Sequence, residues 1–168
     1  MIAVCGGKGG TGKSTYAILL AIRKNGILVD TDAENPSLYL LLGVELGKKV
    51  KGVYSKKPVL IKEKCKKCGI CAQVCKFNSI FFKKDSYPIF LYDLCEGCGL
   101  CSLACPFGAI KMEKKEVGAI YFNQKAKLIT AKGEARESAR KALEFAKSFG
   151  ENVIIDCPAG IHCNVINQ

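Results

Sequence analysis

Cys65-Lys66-Lys67-Cys68-Gly69-Ile70-Cys71-Ala72-Gln73-Val74-Cys75 returns thirty residues on as Cys95-Glu96-Gly97-Cys98-Gly99-Leu100-Cys101-Ser102-Leu103-Ala104-Cys105, and this doubled run decides the middle of the chain. Three cysteines at C-x2-C-x2-C wrap three corners of a cubane, and the C-x3-C step carries a fourth to the other cluster. That spacing predicts one [4Fe–4S] cluster on Cys65, Cys68, Cys71 and Cys105 and a second on Cys95, Cys98, Cys101 and Cys75. A structural zinc site uses four ligands in C-x2-C pairs and has no place for the third and fourth cysteine of each run. The repeat goes beyond the ligands: Ile70 matches Leu100, Phe77 matches Phe107 and Ile80 matches Ile110, as in a duplicated unit with one small core. One departure is Pro106 after the fourth cysteine of the second run, where the first has Lys76. A positive charge there is expected to favour the reduced state of the nearby cluster.

Upstream, Ile2 to Cys5 is a short apolar run that leads into Gly7-Lys8-Gly9-Gly10-Thr11-Gly12-Lys13-Ser14. The string fits G-x-x-x-x-G-K-[ST] between a predicted strand and a predicted helix, the context in which it cradles phosphate. Its glycines let backbone N–H groups curl around phosphate oxygens, helped by the positive end of the following helix. Lys13 is expected to reach the β and γ phosphates and Ser14 to bind Mg²⁺; Gly7, Lys8, Gly9, Gly10, Thr11, Gly12, Lys13, Ser14 and Thr15 are the candidate nucleotide-binding residues. The helix is predicted over Ser14 to Lys24, with Tyr16, Leu19, Leu20 and Arg23 spaced at turns. Ile27 to Asp30 then reads as a buried strand, completing a βαβ unit with parallel pairing.

Asp30-Thr31-Asp32-Ala33-Glu34-Asn35-Pro36 ends that strand, where carboxylates of an open α/β sheet face the ligand crevice. On the residues alone, the alternative is that Asp30 and Asp32 cap a turn before Pro36. A helical turn over Ser37 to Leu42 and a lysine-rich connector follow. Beyond the cysteines, Ala119 to Phe122 and Leu128 to Ala131 read as strands, the stretch after Gly133-Glu134 as a helix to about Ser148 through Ala135, Ala139, Ala142, Leu143 and Ala146, and Val153 to Asp156 as a buried strand. Cys5 is expected to be a small core residue. Cys157 and Cys163 flank Pro158-Ala159-Gly160 beside His162, the only histidine, in a spacing that fits no common metal pattern.

The form Lys8-Gly9-Gly10-Thr11-Gly12-Lys13-Ser14, with its second lysine, resembles the deviant phosphate loop of the MinD and ParA ATPases, the nitrogenase iron protein and the Mrp-type iron–sulfur carriers. Asp30 to Pro36 resembles their first switch, and Asp156-Cys157-Pro158-Ala159-Gly160 their Walker B aspartate and second switch. The resemblance implies an α/β fold: the parallel sheet of a P-loop NTPase, here incomplete, with an inserted bacterial-type ferredoxin domain carrying two [4Fe–4S] clusters. The expected domains are 1–57 with 118–168 for nucleotide and 58–117 for the insert. The resemblance further implies catalytic roles for Lys13, Lys8 and Asp32, with Asp32 orienting the attacking water. It likewise implies that Asp30 supports the Mg²⁺ shell and that Asp156 holds the metal through water. Lys8 implies a homodimer closed over ATP, although by itself it could be a solvated loop residue. Members of this superfamily run on well past the equivalent of Gln168, so the chain is expected to be truncated at its C-terminus.

Composition narrows the function classes. The chain has 168 residues, 49% of them hydrophobic, enough for a core. Met1 to Val4 leads straight into the loop, so no cleavable leader is expected. No apolar run approaches the roughly 20 residues of a membrane span, so a cytoplasmic protein without membrane contact is expected. Eight of eleven cysteines share a ligand spacing, which speaks against a disulfide framework. The formal charge of +11 falls when ligating thiols lose their protons. Between Lys48 and Lys84 twelve lysines face one acid, Glu63, which either docks an acidic redox partner or only solvates a surface in a lysine-rich chain. No recognition helix or aromatic stacking pattern accompanies the charge, so no nucleic acid partner is expected. The leading expectation is an ATP-binding iron–sulfur protein that couples nucleotide state to electron transfer, with ATPase activity. The alternatives are an iron–sulfur cluster carrier or scaffold, and a ferredoxin-type electron carrier with a vestigial nucleotide domain.

Overall fold

The computed structural model describes residues 1–150 and 152–160. They fall into two compact units: Met1–Val53 with the described residues from Glu116 onward, and Tyr54–Lys115.

In the first unit, β1 (Ile2–Val4), α1 (Lys13–Arg23), β2 (Ile27–Asp30) and α2 (Leu38–Leu41) open the chain. Later come β7 (Leu128–Gly133), α5 (Ala135–Lys147) and β8 (Val153–Asp156). With β3 (Lys48–Leu60) and β6 (Ile110–Asn123) the strands form one six-stranded sheet, in the order β1-β8-β2-β7-β6-β3. β1, β8, β2 and β7 run parallel, and β6 returns antiparallel to β7. The fold is mixed α/β with a parallel-rich sheet. β8 lies between β1 and β2, so the first βαβ unit skips a strand rather than pairing its own two.

Alternate residues of each strand serve opposite faces. Leu28, Leu128 and Ile154 pack with Ala17 and Ala21 of α1 and Leu38 of α2. Val29, Ile129, Val153 and Ile155 pack with Ala142 and Ala146 of α5. Helices therefore cover both faces, as near-continuous apolar parallel strands require.

α1 buries Ala17 and Ala21, while Tyr16, Leu19 and Ile22 are exposed, because the small residues are the ones that fit against the sheet. Two expectations are corrected here. The lysine-rich connector is the strand β3, with Lys48, Lys49 and Lys51 exposed and Val53 fully buried; edge strands commonly carry such lysines, which discourage pairing with other chains. Cys5 is exposed rather than core, because β1 lies at the other edge of the sheet.

The second unit repeats itself. Lys62–Lys64 and Tyr92–Leu94 are 3₁₀ turns, α3 (Ile70–Gln73) matches α4 (Leu100–Leu103), and each short helix follows a left-handed glycine, Gly69 or Gly99. The Leu91 amide donates to the Ser79 carbonyl and the Ile61 amide to the Ala109 carbonyl, both at 2.8 Å, thirty residues apart on each side. β4 (Ile80–Phe81) pairs antiparallel with β5 (Ile89–Phe90). The shared core is Cys71, Ile80, Cys101 and Ile110, one pair from each half. Among the described residues no helix is long and apolar enough to cross a membrane.

Candidate functional site

Two small pockets, both partly open to solvent, lie in the second unit. Cys65, Cys68, Cys71 and Cys105 line the first, and Cys75, Cys95, Cys98 and Cys101 the second. Each therefore gathers three cysteines of one run and the last of the other. Among the described residues no group of three or more His, Cys, Asp or Glu is arranged to hold a single metal ion; the sulfurs stand around the cavity walls instead. Four thiols around a space of this kind fit a cluster, whose irons bring the ligands together without a common central atom.

The electrostatics of the two cavities differ. Burial pushes Cys101 up to about 11, helped by the neighbouring Cys95, against the Ser102 amide. Burial likewise raises Cys71, with Cys65 and Cys68 adding to it. For Cys75 burial acts upward too, but hydrogen bonds from the Ser79 side chain and amide outweigh it and the thiol ends below its ordinary value. The Ser79 hydroxyl lies 3.1 Å from the Cys75 sulfur. At the matching place Ala109 offers only its amide to Cys105, at 3.3 Å. Lys57, 3% exposed, donates to the carbonyls of Cys95 at 2.6 Å and Tyr92 at 3.1 Å, placing a cation beside the second cavity. Neither Ser79 nor Lys57 was among the expected site residues. Aligning the repeats exposes Ser79 against Ala109, whereas Lys57 lies in a lysine-rich stretch with nothing to set it apart.

In the first unit, parallel pairing brings the carboxyl ends of β1, β2 and β8 to one edge, where the loop 5–12, the turn 31–37 and residues 157–160 emerge. Gly10 and Gly12 take positive φ of 73° and 79°, and Gly12 leads into α1. Thr11 Oγ1 and Lys13 Nζ donate to the Lys8 carbonyl, at 3.2 and 2.8 Å. The Ser14 side chain and the positive charge of Lys13 both act to lower the Asp156 carboxyl. Burial nevertheless raises the Asp156 carboxyl, Asp32 adding a smaller push. Asp156 is 6% exposed, and its Oδ1 has no hydrogen-bond partner among the described residues. An orphaned buried carboxylate oxygen beside a serine hydroxyl fits a hydrated Mg²⁺, which takes oxygen ligands and keeps several waters.

Asp30 and Asp32 are engaged locally. Asp30 Oδ2 accepts from the amides of Ser37 and Leu38, both at 2.9 Å, and Oδ1 from that of Asp32 at 3.1 Å. Asp32 Oδ1 accepts from Asn35 at 3.2 Å. The two carboxylates thus hold the turn together. Burial raises Asp30 to about 6 despite its three amides. Thr31 fastens this turn to β8, its hydroxyl and amide both donating to the Asp156 carbonyl. Cys163 and His162 lie outside the described residues.

Residues 59–112 match the family model of the 4Fe–4S dicluster domain. An uncharacterized protein of Methanocaldococcus jannaschii is 36% identical over 83 residues, which cover 47% of this chain and 30% of that protein. The chain thus spans about a third of the length of that relative. Residues 59–112 form a 4Fe–4S dicluster ferredoxin domain, the kind of module found in iron–sulfur electron carriers.

Proposed function

We propose that the chain is an ATP-binding iron–sulfur protein in which nucleotide state governs electron transfer through two [4Fe–4S] clusters. One cluster is held by Cys65, Cys68, Cys71 and Cys105, the other by Cys75, Cys95, Cys98 and Cys101. The nucleotide half is that of a P-loop ATPase related to MinD and ParA: the loop Gly7 to Thr15 binds the phosphates, Lys13 neutralises them, and Ser14 with Asp156 holds Mg²⁺. The observation that carries this reading is the meeting of Lys13, Ser14 and the orphaned Oδ1 of Asp156 in a chain that also has a dicluster domain. When bound, the clusters supply one-electron chemistry; the cysteines fix their place, and Ser79 and Lys57 bias the second cavity toward the reduced state. The chain works in the cytoplasm as a homodimer closed by Lys8 over the partner's nucleotide, and its lysine-rich face receives an acidic redox protein.

The test is one anaerobic preparation assayed for iron, labile sulfide and Mg-ATP binding, followed by redox titration with and without Mg-ATP. The expected result is two clusters per chain, saturable binding, and a nucleotide-dependent shift of at least one potential. Binding without any shift rejects the coupling. No binding rejects the nucleotide half and leaves a ferredoxin-type carrier.

A further inference from the structure

β1 and β8 are parallel neighbours, with Ile2, Ala3 and Val4 opposite Ile154, Ile155 and Asp156. One step on, the same register sets Cys5 against Cys157, and the Cys157 amide donates to the Val4 carbonyl at 3.1 Å, so the ladder continues to this point. Residues directly opposite on paired strands project from the same face. The two sulfurs stand 2.9 Å apart, and neither belongs to a disulfide. Neighbouring strands lie about 4.8 Å apart, inside the Cα separation that a disulfide spans without backbone movement. Cys5 is exposed and Cys157 half-buried, so a reagent in solution reaches the first while the second is placed to attack it.

We propose that Cys5 and Cys157 are a thiol–disulfide site whose oxidant is a small-molecule disulfide. The Cys5 thiolate attacks one sulfur of the oxidant, breaking its S–S bond, releasing one thiolate and leaving a mixed disulfide on Cys5. The Cys157 sulfur then attacks Cys5 Sγ, expels the second thiolate and closes the Cys5–Cys157 bond. The protein gives up two electrons and two protons, and the oxidant leaves as two thiols. Cys5 is where the loop 5–12 leaves β1, and Cys157 follows Asp156, so the bond ties the start of that loop to the end of β8. Its effect on nucleotide rests on the proposed function; the dithiol does not.

The test is made on the full chain, anaerobically, with clusters intact by their visible absorbance. The protein is incubated with oxidised glutathione, alkylated, and mapped by tandem mass spectrometry. The expected result is loss of both thiols from alkylation and a Cys5–Cys157 link that dithiothreitol releases. In Cys157→Ser, which lacks the resolving sulfur, glutathione is expected to remain on Cys5. Persistent glutathionylation of Cys5 in the unsubstituted protein, an unmodified Cys5, or a link from Cys5 to any other cysteine overturns the proposal. The readout needs no nucleotide, so a protein that fails to bind ATP leaves this test intact.

Discussion

Ser79 and Ala109 hold matching places in a duplicated unit, and the difference between them is one hydroxyl aimed at a sulfur. Hydrogen bonds to cluster sulfurs favour the more negative, reduced state. Ser79→Ala is therefore expected to lower one of the two cluster potentials, by roughly 40 mV for a one-electron couple if the bond is worth about 1 kcal/mol. Redox titration followed by electron paramagnetic resonance checks this; equal movement of both potentials, or none, counts against it. A second prediction concerns Asp30, raised to about 6 by burial. A carboxyl with a raised folded value takes up a proton on folding, so its contribution to stability is full below about pH 4 and lost as pH rises to about 6. Asp30→Asn is expected to remove that slope, on the order of 2 kcal/mol, from urea midpoints measured anaerobically across this range.

α5 approaches the sheet on alanines: Ala139 is 3% exposed, and Ala142 and Ala146 not at all. Ala142→Leu is expected to push the helix off Val29 and Ile129 and to cost about 1–3 kcal/mol, read as a lower denaturation midpoint. An unchanged midpoint would show that this face is looser than its burial indicates. At the same scale the sequence speaks unevenly. Ile27–Asp30 and Val153–Asp156 are legible because a strand buried on both faces is a continuous apolar run between breaks. β3 is hidden, because an edge strand with exposed lysines reads as a linker until a partner supplies its hydrogen bonds. The first part of β6 is hidden likewise by the exposed run Glu113 to Glu116.

For the whole molecule, the proposed homodimer gives the two lysines of the loop separate duties. Lys13→Ala is expected to abolish Mg-ATP binding, whereas Lys8→Ala keeps binding but loses nucleotide-induced dimerisation, as light scattering would record. Loss of binding in both variants, or dimerisation untouched in Lys8→Ala, would reject that division. By itself the sequence determined the things that depend on spacing. Cysteines at three-residue steps can wrap a cubane, and glycines before Lys13 can wrap a phosphate, because the local chain alone brings those groups together. Only the tertiary structure decided what depends on pairing across long separations. It set Cys5 beside Cys157, left the Oδ1 of Asp156 buried and without a partner among the described residues, turned Asp30 inward onto three amides, and sank Lys57 beside Cys95. The physical reason is that strand order and register, set by burial of both faces of the sheet, are properties of the assembled core that no single stretch of chain contains.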